Sequence, residues 1–174
     1  EEMLEFLERS RKELRTIELS DERAQELSEE YERCKAEAIQ LAKELSSKRR
    51  KAASELVAQV REELTFLDMP GVEFQVEQLR CPLNQWGCDK IQFLLSTNPG
   101  EPPRPMAKIA SGGELSRIML AIKTVLSGTD RIPTLIFDEI DTGISGSAAR
   151  KVGLKLQQVS QNRQVLCVTH LAQI

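Results

Sequence analysis

From residue 1 to about residue 67, apolar positions recur with a helical period, and no Pro or Gly occurs before Pro70. Glu, Lys, Arg, Ala and Leu dominate this stretch, a composition that predicts a long helix. From Leu27 the apolar or small positions fall at Tyr31, Cys34, Ala38, Leu41 and Leu45, then Lys48 and Ala52. This alternating four- and three-residue step is a heptad seam, which needs a partner helix. The seam continues less regularly through Leu56, Val60, Leu64 and Leu67, until Met69-Pro70-Gly71 stops the helix. Leu4, Leu7, Leu14 and Ile17 form an earlier amphipathic segment, and Leu19-Ser20-Asp21 is expected to end it and cap a new helix. The first segment is too short to cover the second, so the partner helix is expected from outside this sequence.

After Gly71 the period changes to two. Val72, Phe74 and Val76 alternate with polar residues, and Ile91, Phe93 and Leu95 repeat the pattern, which predicts two strands in a hairpin. Cys81 to Asp89 reads as their turn-rich connection, with Trp86 as a packing residue. The Pro-rich segment Asn98 to Pro105 predicts a stiff loop, neither helix nor central strand. A helix from Gly112 is expected to bury Leu115, Ile118, Met119, Ile122 and Leu126 and to end near Gly128. Pro133 to Phe137 is a continuous apolar run, as in a parallel strand covered on both faces, and it ends in Asp138 and Glu139. A helix over about Ser145–Ser160 then leads to Val165-Leu166-Cys167-Val168, which ends in Thr169-His170. Strand, helix, strand in one sheet is a parallel crossover, so His170 should emerge on the same rim as the two acids. The predicted fold class is therefore α/β, a partly parallel sheet with flanking helices after a long helix. Residues 1–67 form the helical segment and 68–174 the lobe.

Composition narrows the function only slightly. The net charge of −3 argues against bulk nucleic-acid binding, and 4% aromatic residues do not advertise stacking on single-stranded bases. The run Lys48-Arg49-Arg50-Lys51 fits a solvated helix face better than a DNA-backbone contact. Cys34, Cys81, Cys88 and Cys167 contain no C-x-x-C pair, and no signal peptide or long apolar span is present. A reduced, soluble, cytoplasmic protein without a membrane partner is the simplest expectation. The chain begins without Met and stops in mid-pattern, as expected of a fragment. Met3, Met69, Met106 and Met119 read as core filler.

The candidate chemistry begins at Ser111-Gly112-Gly113-Glu114. Ser111 and Glu114 fit a capping box, but the two glycines weaken a helix by roughly 1 kcal/mol each and call for something close to the backbone. Unshielded amides at a helix start suit an anion such as phosphate. Asp138 and Glu139 at a strand end suit Mg²⁺ held through water and an attacking water, respectively. A capped strand end before the turn Asp141-Thr142-Gly143 explains one acid but not the pair.

The segment from Ser111 to Leu115 resembles the signature motif of ABC ATPases. Leu135-Ile136-Phe137-Asp138-Glu139 resembles their Walker B strand with its catalytic glutamate, and His170 their switch histidine. The order and spacing of all three match, and a coiled-coil helix entering directly before them resembles SMC-like members. Within these, K-I-A-S-G-G-E-L-S-R, F-D-E-I-D-T-G-I-S-G and V-L-C-V-T-H resemble the RecN family of bacterial DNA repair. The resemblance spans essentially the whole chain, as a carboxyl-terminal part.

It implies an ATP- and Mg²⁺-dependent clamp of DNA double-strand break repair and recombination, cytoplasmic and nucleoid-associated. Two heads would sandwich nucleotide, with Ser111, Gly112, Gly113 and Glu114 of one head meeting phosphate bound on the other. Glu139 and His170 would be catalytic, Asp138 would hold the metal through water, and Asp141, Gly143 and Ser145 would form the D-loop. The sequence departs from the pattern in two places. No G-x-x-x-x-G-K-[ST] loop occurs, so that phosphate cradle is expected from an amino-terminal lobe and this chain should not hydrolyse ATP alone. Ser145 stands where SMC heads usually carry Asp. Another chromosome-organising SMC ATPase shares these motifs; a non-catalytic coiled-coil adaptor would have no need of the Asp138-Glu139 pair.

Overall fold

The computed structural model describes residues 2–98, 100–108, 112–172 and 174, with only the backbone of Glu18; Ser111 lies outside the described residues. The chain divides into two compact units, Glu1–Ser47 with Pro82–Cys88, and Lys48–Cys81 with Asp89–Ile174. Helix α1 spans Glu2–Phe66 without interruption. The expected break at Leu19-Ser20-Asp21 is not there. Ser and Asp lower helix propensity only mildly when no Gly or Pro accompanies them, and i,i+3 pairing of Arg23 with Glu26 at 2.8 Å supports the turn that follows.

The helix ends one turn before Pro70, for a local reason. Asp68 takes a left-handed conformation (φ 59°), the Met69 amide donates to the Leu64 carbonyl at 2.9 Å, and the Asp68 amide donates to Thr65 at 3.2 Å. These are the paired bonds of a Schellman stop, here with Asp in the place usually held by Gly. Met69 folds back onto the core, completing the apolar contact of that motif.

In the first unit the heptad seam is open: Leu27, Tyr31, Leu41 and Leu45 are exposed. Leu4, Leu7, Leu14 and Ile17 are exposed too, and Met3 is 86% exposed, so it is not core filler. Strand β1 runs Glu73–Asn84 and β2 Gly87–Ser96, so the hairpin is longer than its sequence pattern suggests. Cys81 and Cys88 lie in the strands, and only Gln85 and Trp86 remain to turn. Gly87 at φ 97° provides the left-handed step, and Asn84 Oδ1 accepts from the Trp86 amide at 2.8 Å. Trp86 is 69% exposed at the tip of this two-residue turn, so it is not the packing residue expected. Among the described residues, no two cysteines are joined by a disulfide.

The second unit holds the core. Strand β3, Arg104–Pro105, pairs antiparallel with β2 at the edge of a sheet ordered β1-β2-β3, where a Pro is tolerated. Thus the Pro-rich loop ends in a short edge strand. Helix α2 spans Gly112–Val125, β4 Thr134–Phe137, α3 Gly146–Ser160 and β5 Gln164–Cys167. Val60, Leu64 and Leu67 pack with Phe74, Leu95, Ile118, Leu120, Phe137, Ile140, Val152 and Val159. Full burial of each such side chain contributes about 1.5–3 kcal/mol. Leu120 and Ala121 are buried, whereas Leu115, Met119 and Leu126 are only half-buried.

Two lysines pin α3 to the end of α1. Lys155 pairs with Glu63 and lies 4.6 Å from the centre of the Phe66 ring, and Lys151 pairs with Asp68 at 2.7 Å. The basic run is not a uniformly solvated face, since Arg49 pairs with the buried Asp89 carboxylate at 3.4 Å while Lys48, Arg50 and Lys51 are exposed.

Strands β4 and β5 are parallel, in the register Leu135↔Val165 and Phe137↔Cys167, with α3 as the crossover. Their inner face, Leu135, Phe137, Val165 and Cys167, packs on the core. Their outer face does not fit the expected cover on both sides: Ile136 is 70% exposed, and Leu166 and Val168 are also open. Among the described residues, no helix is long and apolar enough to cross a membrane.

Candidate functional site

The parallel register brings two strand ends to one rim. The last ladder bond runs from the Val168 amide to the Phe137 carbonyl at 2.9 Å. Beyond it, Asp138 and Glu139 leave β4 and Thr169 and His170 leave β5, with Asp138, Glu139 and His170 all exposed. The amino-terminal turn of α2 arrives at the same place, because α2 and β4 run in opposite senses through a short connection. A Cβ on Gly112 would strike Glu139 Oε2 and lie 3.5 Å from its Cδ. One on Gly113 would lie 2.8 Å from Thr142 Cβ and 2.9 Å from the Glu139 carbonyl oxygen. Among the described residues, the group that crowds the glycine backbone is therefore this chain's own 139–142 segment. Gly112 is exposed and Gly113 buried, so the pair divides its work between a rim and a packed contact.

Glu139 holds a left-handed conformation (φ 55°), which disfavours a residue with a side chain by roughly 1–2 kcal/mol. Its carboxylate beside the α2 amino terminus recovers only about 0.3–1 kcal/mol from the helix dipole. The remainder comes from hydrogen bonds that hold the segment on both sides of it. Ser116 Oγ donates to the Asp138 carbonyl at 2.7 Å, and Arg117 donates to the carbonyls of Ile140 at 3.2 Å and Thr142 at 2.8 Å. Arg117 is only 6% exposed, and burial pulls its pKa below the usual guanidinium value while Glu114 opposes this. The site reading from sequence missed Ser116 and Arg117. The signal was present: positions 113, 116 and 117 share one face of α2 by helical spacing, and Gly113 already marked that face as crowded.

The D-loop candidates separate. Gly143 is exposed with φ 77°, and Ser145 is the N-cap of α3 in an extended conformation without a side-chain capping bond. Asp141 turns inward and is 8% exposed. Its Oδ2 accepts from Thr169 Oγ1 at 2.7 Å, from the His170 amide at 2.6 Å and from the Leu171 amide at 3.1 Å. The Thr169 bond first, and then the His170 amide, hold the Asp141 carboxyl below the usual carboxylate range. Because the folded value is depressed, this stabilisation is complete above the unfolded value of about 4 and is lost as pH falls through the folded value. Amide exchange at His170 and Leu171 should therefore accelerate below about pH 4, beyond the intrinsic pH dependence of exchange, before the core amides of α2 are affected. Burial, together with the charges of Asp141 and Asp138, pushes the Cys167 thiol up, which makes it a poor nucleophile.

Among the described residues, no group of three or more His, Cys, Asp or Glu side chains is placed to hold a metal ion. Asp138 offers a single exposed carboxylate at the rim. That suits Mg²⁺, which keeps several waters and takes the rest of its ligands from phosphates, and does not suit an all-protein cage.

No protein-family model matches the chain. Among curated proteins, the DNA repair protein RecN of Treponema pallidum is 42% identical over 99% of this chain and 31% of its own length. That of Haemophilus influenzae is 49% identical over 75% of this chain and 24% of its own length, and that of Bacillus subtilis 36% identical over all of this chain and 33% of its own. The chain thus spans about a third or less of the relatives it matches. Among solved structures, an SMC head bound to the C-winged helix domain of ScpA is 18% identical, covering 71% of this chain and 36% of that one at a TM-score of 0.48. At that score the likeness bears no weight in assigning the fold. By sequence identity along nearly its whole length, the chain belongs to the RecN family, of which it matches the carboxyl-terminal part.

Proposed function

We propose that this chain is the carboxyl-terminal lobe of an ATP-hydrolysing head that closes as a dimer in DNA double-strand break repair and recombination. The observation that carries the proposal is the in-register parallel pair β4–β5, which brings Glu139 and His170 to one rim, with Glu139 against the amino terminus of α2. Glu139 orients and deprotonates the attacking water, and His170 contacts the phosphate being transferred. Asp138 would hold Mg²⁺ through water, and the bound ion would supply neutralising charge beside the phosphates. Ser111, Gly112, Gly113 and Glu114 meet the terminal phosphate of ATP bound on a second head, with Asp141, Gly143 and Ser145 forming the D-loop beside them. Residues 1–67 serve as the coiled-coil segment and 68–174 as the lobe.

The open outer face of β4–β5 supports a further lobe of the same protein as its cover, since Ile136, Leu166 and Val168 form an apolar strip that water disfavours. The relatives are about three times longer than this chain, enough to contain such a lobe with its phosphate-binding loop. The exposed seam at Leu27, Tyr31, Leu41 and Leu45 similarly suits a returning coiled-coil helix. The full protein binds DNA and works in the bacterial cytoplasm, associated with the nucleoid. Sizing of the full-length protein should show a dimer with ATP that Ser111→Arg abolishes, because a long cation fills the place of the phosphate. A Ser111→Arg protein that still dimerises with ATP removes the signature from the interface.

A further inference from the structure

We propose that Asp141 is a positioning residue that locks the His170 segment to the loop after Glu139, so that the two catalytic side chains keep a fixed separation. The proposal rests on the reading of Glu139 and His170 given above. Beyond the Val168–Phe137 bond the β4–β5 ladder is finished, so among the described residues no strand pairing holds residues 169–171. The Asp141 carboxylate takes over: one oxygen receives the Thr169 hydroxyl and two successive amides, His170 and Leu171, from 28 to 30 residues away in sequence. Two neighbouring amides and a hydroxyl converging on one anion make a strong charge-assisted set. On its other side Asp141 is anchored by its chain neighbours, since Arg117 holds the carbonyls of Ile140 and Thr142. Rigid connection therefore runs from α2 through the 140–142 segment to the backbone of His170. The His170 side chain itself is exposed and free to meet a ligand. A surface turn would gain little from so costly an arrangement, because burying a carboxylate requires several donors to compensate its lost hydration.

The test is a double-mutant cycle on ATP turnover in the full-length protein, using His170→Ala, Asp141→Ala and the pair. Asp141→Ala alone should lower kcat by about 10- to 100-fold with KM for ATP changed by less than about twofold, as misplacement of a catalytic group does. In the His170→Ala background the same substitution should cost almost nothing more, because a residue acting through His170 has nothing left to position. Asp141→Asn, which keeps an acceptor of the same shape, should recover part of the loss. Additive losses in the cycle, or a rise in KM with kcat unchanged, overturn the proposal. If Asp141→Ala does not fold, Asp141→Asn and Thr169→Val carry the cycle. Amide exchange at His170 and Leu171 gives a readout independent of catalysis: it should quicken in Asp141→Asn, and unchanged exchange overturns the proposal. Absence of any ATP turnover in the unmodified protein would instead defeat the ATPase reading, leaving the exchange result to decide the lock.

Discussion

Glu139→Gln in the full-length protein should reduce ATP turnover by about 100- to 10,000-fold while nucleotide binding and head dimerisation persist. The amide is nearly the size and shape of the carboxylate, so the left-handed backbone at φ 55° and the bonds from Ser116 and Arg117 that support it are retained. What disappears is the capacity to accept a proton from the attacking water. The position of the residue explains why so small a change should matter. A strained turn at the strand end is held by hydrogen bonds before and after it, and strain of this kind persists only where surrounding contacts fix it. Asp138→Asn should differ in kind, weakening the Mg²⁺ dependence of binding as well as turnover. Turnover in Glu139→Gln equal to the unmodified protein would remove Glu139 from the proton-transfer step.

The features that were readable in the sequence were those written in local chemistry. The apolar runs ending in Asp138-Glu139 and Thr169-His170 already specified parallel strands with a shared rim, and β4, α3 and β5 lie where those runs place them. The hairpin was legible through the alternation of Phe74 and Phe93, whose rings meet at 5.6 Å. Its true length was not, because Cys81-Pro82-Leu83-Asn84 carries turn chemistry that edge pairing overrides. The stop of α1 at an Asp in the left-handed region was equally hidden, since Gly71 and Pro70 gave a louder signal a few residues later. Asp141 looked like one more turn residue. Its three donors come from a segment almost thirty positions onward, and only the folded chain brings them together. The outer face of Ile136 and Leu166 reads as buried in the sequence because a continuous apolar run does not mark which of its two faces is left open.

Gly113→Ala separates two explanations of the glycine pair, packing within the chain and the approach of a phosphate. If Gly113 is there for packing within the chain, a Cβ pressed to 2.8 Å from Thr142 Cβ and 2.9 Å from the Glu139 carbonyl must push the 139–142 segment aside. Main-chain atoms on that segment yield poorly, because Arg117 and Ser116 hold it and Ile140 is fully buried beneath it. The expected result is a loss of about 1–3 kcal/mol in stability without nucleotide, together with a fall in turnover of about 100-fold as Glu139 is displaced. If Gly113 is there only so that a phosphate on another head can approach, stability without nucleotide should be unchanged and ATP-driven dimerisation alone should suffer. Gly128→Ala is the matched control: nothing lies within 4 Å of a Cβ there, so it should be neutral or slightly stabilising. Thermal unfolding of the two variants without ATP decides between the explanations. The geometry favours the first for Gly113: its missing side chain is accounted for by the loop it is buried against, while its amide remains one of the groups proposed to meet phosphate. A Gly113→Ala protein as stable as Gly128→Ala would return both glycines to the interface between heads and leave the close packing at Thr142 without consequence.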